Sequence, residues 1–310
     1  MSETLLLTHG CSLSNLPLFV AASAGLFVAE QLDVDVQRYD ELSATADALA
    51  SGAAELGTAA FTQPLIDAAC ANPPRLVAGS GLMGIALLAH PEFASVADLA
   101  GHAVGTFVKD PLEVLLHDAL HTAQLSAADV DIRAFDRIDD ATAAWREGEI
   151  AAVTLAEPHA TRLRDAGAIE LSDGRELWGD PFPDTVLVAS ERLVTERPDQ
   201  VRAAIRAMLA AQTQIHAAPA AAIAMAMEHF PGFSAAELAR AATRQPPCID
   251  IRGLVPTVLG RWPTLQMLGH VSHRPAPTDA VQLDLLRDEL QHADFSAAPD
   301  LETDPQGVVT

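Results

Sequence analysis

Short apolar runs alternate with amphipathic stretches from the start of the chain. Residues 4–9, 33–38, 55–58 and 75–79 read as strands, and 16–30, 43–51 and 62–71 between them as helices. The order β-α-β-α-β-α-β is the signature of a parallel sheet with helices on both faces. The pattern restarts at Gly84. Strands are predicted at 84–89, 102–107, 130–135 and 150–155, with helices at 111–124, 139–147 and 158–166. A turn-rich stretch containing Trp178, Gly179, Pro181 and Pro183 precedes an apolar strand at 186–189. From 195 to 240 the chain is Ala-rich and helical, and 253–268 and 280–291 read as further helices. The predicted fold is therefore α/β and two-lobed, each lobe a doubly wound, mainly parallel sheet. Residues 1–84 and 187–245 form lobe I and 85–186 lobe II. Helices within 246–295 pack on lobe I, and the polar, Pro-containing stretch 296–310 is a flexible tail.

Composition narrows the function. Hydrophobic residues make up 49% of the 310 residues, enough for a sizeable core. Acidic residues outnumber basic ones, 42 to 19, for a net charge of −23. Binding nucleic acid or an anionic membrane surface needs clustered Lys and Arg, which the chain lacks. No stretch of about 18 apolar residues is present, so no transmembrane segment is expected. The start, Met1-Ser-Glu-Thr, has no basic n-region and no apolar h-region. The expected location is cytoplasmic, and extracytoplasmic only if an export signal has been removed. Cys11, Cys70 and Cys248 form no CxxC pattern and no HExxH occurs, so neither a metal nor a cofactor is expected.

In open α/β sheets ligands sit beyond the carboxyl ends of the strands, and in a two-lobed protein those ends face one another across a cleft. The strand ends therefore supply the candidates. After the first strand come Cys11, Ser12 and Asn15, with Pro17 suited to a first helical turn. After the second come Tyr39 and Asp40, with Ser43 as the expected cap. After the third come Phe61, Thr62 and Gln63. In lobe II, Lys109 precedes an Asp110-Pro111-Leu112-Glu113 capping box, and Glu157-Pro158-His159 follows the 150–155 strand. Several helix N-termini thus converge on one cleft beside Lys109, which favours an anionic or zwitterionic ligand. Tyr39 and Phe61 are candidates to stack on a ring, and Trp178 to close over the ligand. Cys11, near a helix N-terminus and two residues after His9, is a candidate activated thiolate. Cys70 and Cys248 read as structural, and His270 and His273 as a solvated loop.

Four stretches resemble the periplasmic-binding-protein type 2 superfamily, in particular its branch for sulfonates, nitrate and thiamin pyrimidine precursors, the NMT1/THI5-like branch. They are LPLFVAASAGLF at 16–27, ALASGAAELG at 48–57, SVADLAGHAVG at 95–105 and AEPHA at 156–160. The resemblance implies a clamp that closes by hinge motion on a small polar or anionic organic ligand. It also implies an ABC permease as partner if the protein is exported. Cytoplasmic enzymes use the same fold. One resembling branch, an aryl-sulfinate desulfinase, places a catalytic Cys after its first strand, a role that carries over to Cys11. The alternative function is therefore a desulfinase-like or decarboxylase-like enzyme using Cys11 with His9.

Overall fold

Apolar runs flanked by amphipathic helices condense into two sheets of five strands each in a computed structural model that describes residues 4–70 and 72–292. The expected tail, 296–310, lies outside the described residues. The strands are β1 (Leu5–His9), β2 (Val34–Arg38), β3 (Leu56–Ala60), β4 (Pro74–Leu82), β5 (Ile85–Ala89), β6 (Ala103–Thr106), β7 (Asp131–Ala134), β8 (Ala152–Ala156), β9 (Ile169–Ser172) and β10 (Pro183–Ser190). One sheet has the order β2-β1-β3-β10-β4 and the other β7-β6-β8-β5-β9. In the first, β1 runs parallel to β2 and β3, with Leu7 opposite both Val36 and Leu56. In the second, β6 runs parallel to β7 and β8. These are the expected βα ladders.

The other ladders are antiparallel, so each sheet is mixed. β10 lies antiparallel between β3 and β4, and β5 lies antiparallel between β8 and β9. Both are strands through which the chain passes from one sheet to the other. Each enters from the hinge side and so runs against its neighbours. β9, a short strand that opens on half-exposed residues, carries too little apolar signal to be read in the sequence. The eight residues of β10 are all buried, and it extends three residues to the N-terminal side of the predicted 186–189.

Local chemistry sets the helix ends. The expected helix 16–30 is two, Leu16–Ser23 and Leu26–Ala29, because Gly25 adopts a left-handed conformation at φ 68°. The Ala-rich stretch divides into Glu191–Glu196, Pro198–Ala217, Pro219–Ala226 and Ala235–Arg244. Pro198 and Pro219 each stand at the start of a new helix, where the missing N–H costs nothing. Ser234 and Glu237 close a capping box on the last. The helix expected from Ser43 begins at Leu42 with Glu41 in the cap position.

The C-terminal segment was expected to pack on lobe I; it lies along the first sheet and also reaches a helix of the second lobe. It runs beside β4 through Cys248 N to Ser80 O (2.9 Å) and Gly79 N to Ile249 O (2.9 Å), and returns there with Gln282 N to Leu76 O (2.8 Å). Gly79 permits this approach: a Cβ there would lie 2.2 Å from Cys248 O. Between these anchors the segment crosses to the helix Pro111–Thr122. Asp118 of that helix accepts from Arg261 Nη1 (2.9 Å), Thr264 Oγ1 (2.6 Å) and Trp178 Nε1 (2.7 Å). His270, expected in a solvated loop, is half-buried and its Nε2 lies 2.7 Å from Glu113 Oε2. The acidic side chains of the Pro111–Thr122 helix draw these donors across.

Candidate functional site

A cavity of about 260 Å³ opens between the two sheets, at the carboxyl ends of β1, β3 and β8. The loop after β1 contributes Gly10, Cys11, Ser12 and Asn15. The first turns of the helix Leu42–Ser51 contribute Thr45, Ala46 and Asp47. β3 contributes Thr58–Ala60, the turn after it Gln63 and Asp67, and the start of β10 Asp184 and Thr185. Across from them stand Val108, Lys109, Asp110 and Leu112 at the head of the Pro111–Thr122 helix, with Ile138 and Ala156. Strand–helix turns thus position most of the wall, as the fold requires.

Side chains of the chain itself use two of the helix starts at this wall, those after Ser12 and Asp110. Ser12 Oγ accepts from Ser14 N at 3.3 Å. Asp110 Oδ1 accepts from Leu112 N at 3.0 Å, and Glu113 Oε2 accepts from Lys109 N at 2.7 Å. Lys109 is held at φ 64°, a conformation that non-glycine residues adopt at a cost. It stands exposed at the cavity mouth.

Three carboxyl groups of the wall are displaced from their ordinary behaviour. Burial pushes Asp184 up to about 7, and the charge of Asp110 adds to this. Burial also pushes Asp110 up to about 7, against the cap bond from Leu112 and with the help of Glu113. Asp67 is raised to about 6 by burial, opposed by a bond from Gln63 Nε2 (2.9 Å) and the charge of Lys109. Among the described residues none of the three forms an ion pair. Asp184 Oδ2 accepts from Gln245 Nε2 (2.7 Å) and Ser12 Oγ (3.4 Å). Three further polar atoms on the wall are buried without a hydrogen-bond partner: Asn15 Oδ1, Thr45 Oγ1 and Thr58 Oγ1.

Of the residues expected from sequence, Cys11, Ser12, Asn15, Gln63, Lys109 and Asp110 line the cavity. The others do not. Phe61 is fully buried and sits edge-on to Trp178, ring centres 5.7 Å apart. Trp178 is itself buried between Phe61 and Phe182, so it is a core residue and not a lid. Tyr39 packs at the edge of the core, and its backbone N–H bonds His9 O. Asp40 is exposed and paired with Arg38 at 2.8 Å. Thr62 is buried in the N-cap position with no cap bond from its side chain. Glu157 is buried beneath the cavity floor, bonded to Thr161 N (2.9 Å) and Arg164 Nη1 (2.6 Å). Its backbone O accepts from Leu13 N, joining the two sheets. His159 packs edge-on to Phe233, and burial lowers its pKa to about 4.

The expected activation of Cys11 is also corrected. The thiol lines the cavity, but burial raises its pKa. His9 turns from it: the ring lies edge-on to Phe19 and to His229, and Nδ1 bonds Gly10 O at 2.7 Å. Burial lowers the His9 pKa to about 4, so the imidazole is neutral and offers no positive charge to a thiolate. Asp67 and Asp184 escaped the sequence reading. The signal for Asp184 was a lone carboxylate at the head of an apolar run, and for Asp67 its i,i+4 spacing from Gln63.

The arrangement of strands, crossings and cavity agrees with the sequence match to a family model described as NMT1/THI5 like, over residues 13–222. The chain belongs to the NMT1/THI5-like family. Among solved structures this family member is similar to the alkanesulfonate-binding protein SsuA from Xanthomonas axonopodis pv. citri bound to MOPS. The identity is 20%, 91% of this chain and 99% of that one are covered, and the TM-score is 0.77. It is also similar to the periplasmic nitrate-binding protein NrtA from Synechocystis PCC 6803, with 13% identity, coverages of 94% and 89% and a TM-score of 0.82. The desulfurization enzyme DszB matches at 15% identity, coverages of 94% and 99% and a TM-score of 0.70. At these identities the likeness shows the two-lobed type 2 periplasmic-binding fold. A search of curated proteins found no match.

Proposed function

We propose that this chain is a small-molecule-binding protein that holds its ligand in the cavity between the lobes and closes on it by hinge motion. The observation that carries the reading is the wall itself. Both lobes supply it, and Asn15 Oδ1, Thr45 Oγ1 and Thr58 Oγ1 on it are buried without partners. Buried polar groups are ordinarily satisfied, and a bound polar molecule satisfies these. Relatives of this fold that bind sulfonate and nitrate support the same use of the site. An enzyme built on Cys11 has less support, because neither a charged His9 nor a lowered thiol pKa accompanies it.

Thermal unfolding of the full chain against a panel of small polar metabolites tests the reading. A ligand at 100 times its Kd stabilises by about 2.7 kcal/mol, which is readily measured. A panel without a single stabilising compound speaks against it. The cytoplasmic location expected from sequence belongs to this proposal, and cell fractionation checks it. Recovery outside the cytoplasm replaces that part and brings in an ABC permease as partner.

A further inference from the structure

We propose that the cavity selects a small organic base rich in N–H donors, an ammonium, amidinium or guanidinium, seated against Asp110 and Asp184. This rests on the small-molecule reading above and names its ligand class. The wall carries the carboxyl groups of Asp47, Asp67, Asp110 and Asp184 against the single ammonium of Lys109. Lys109 stands at the mouth, and its field falls on Asp67. Asp47 is exposed, which leaves Asp110 and Asp184 as the carboxyl groups that line the cavity with no ion-pair partner among the described residues. A cation against them offsets their negative charge and supplies the partner that the buried Asp184 and the half-buried Asp110 lack.

The unsatisfied atoms agree. Asn15 spends its amide N–H groups on Gly10 O (3.3 Å) and Ser12 O (3.1 Å), which leaves Oδ1 able only to accept. The hydroxyls of Thr45 and Thr58, which can donate or accept, have no partner and are able to accept from such a ligand. At the head of the Pro111–Thr122 helix, beside Asp110, the N–H groups that would draw an anion are consumed: Leu112 N bonds the Asp110 side chain, Glu113 N bonds Asp110 O, and Lys109 N bonds Glu113. No aromatic side chain is among the lining residues, so the wall lacks the cage that holds a quaternary ammonium. Recognition here needs N–H groups. The cavity volume lies below the range for drug-sized ligands, which sets the ligand at on the order of ten non-hydrogen atoms.

Isothermal titration of the full chain with methylguanidinium and benzamidine, set beside ethanesulfonate, nitrate and tetramethylammonium, decides it. The two N–H-bearing bases bind, and the other three do not. Asp110→Asn and Asp184→Asn each weaken base binding about tenfold or more while the folded circular dichroism spectrum persists. Lys109→Ala, which removes the ammonium at the mouth, tightens base binding. Binding of ethanesulfonate or nitrate in preference to the bases overturns the proposal and leaves the small-molecule reading standing. Tetramethylammonium binding as tightly as methylguanidinium also overturns it, because N–H donation then plays no part. Silence from every probe overturns it too, and the small-molecule reading is then judged on the wider panel.

Discussion

Asp118 is where the C-terminal segment is fastened to the second lobe, and its removal is the sharpest test of that fastening. Its carboxylate accepts from three donors, Trp178 Nε1, Arg261 Nη1 and Thr264 Oγ1, at 2.7, 2.9 and 2.6 Å. The Asp118 and Arg261 side chains are only 19% and 15% exposed. Asp118→Ala removes the acceptor and leaves the guanidinium without its ion-pair partner, holding only Thr257 O, and the indole N–H without an acceptor in a poorly hydrated place. Each bond to a charged group is worth about 1.5–3 kcal/mol, and the three overlap in what they cost. Breaking a buried pair from one side costs about 3–5 kcal/mol, so about 4 kcal/mol is expected for the whole. For a chain of this size, about 2 °C per kcal/mol puts the fall in Tm at about 8 °C. Asp118→Asn keeps an acceptor without the charge and falls roughly half as far by the same reckoning. Urea unfolding of Asp118→Ala, Arg261→Ala and the double variant isolates the pair, with a coupling of about 1.5–3 kcal/mol expected. A single variant Asp118→Ala within about 0.5 kcal/mol of the parent, in the range of ordinary surface substitutions, refutes the reasoning.

Three further outcomes are expected. Asp110 and Asp184 sit at about 7 in the folded chain against 3.8 as the ordinary value, so the folded state holds protons that the unfolded state has lost. Stability of the ligand-free protein therefore falls as pH rises from about 4 to about 7 and levels off above. Thermal scans should show a higher Tm at pH 5 than at pH 7.5, with a shallower slope in Asp184→Asn; an equal slope in the variant contradicts it. Iodoacetamide at neutral pH should label exposed Cys70 well before Cys11, whose thiol is buried and raised in pKa; mass spectrometry of the labelled peptides reads the order, and Cys11 first reverses the conclusion. Gly79→Ala should destabilise by about 1–3 kcal/mol, because the new Cβ meets Cys248 O and Ile251 at 2.2 and 2.5 Å; an unchanged urea midpoint would show that the C-terminal segment does not lie against β4.

The strands and their order of appearance were legible because apolar runs of five or so residues between amphipathic helices leave little else to build. Cys11, Ser12, Asn15, Gln63, Lys109 and Asp110 followed from one rule, that ligands gather at strand ends. Phe61, Tyr39 and Trp178 show where the rule stops. A ring at a strand end looks the same in sequence whether it faces a cavity or fills the core, and long-range packing against Phe182 and the C-terminal segment decides it. His9 and Cys11 had the right spacing for chemistry, but direction and burial are properties of the neighbours, Phe19 and His229 among them. Asp184 was hidden because β10 was read from its apolar centre, and the two sheets meet at its polar start. The antiparallel entry of β5 and β10 was illegible for a similar reason: a strand carries no mark of the direction from which its chain arrives.

That antiparallel entry makes the second lobe a separable insert. Leu82 at the end of β4 and Pro183 at the start of β10 are directly paired neighbours, and the intervening hundred residues leave and rejoin the first sheet at this one rung. A short turn bridging the two positions would close β4 and β10 into an ordinary hairpin with the first sheet's strand order intact. The first lobe thus has the wiring of a βα protein into which a second has been spliced at two adjacent joints, and an exchanged insert must also keep acceptors where Asp118 and Glu113 hold the C-terminal segment.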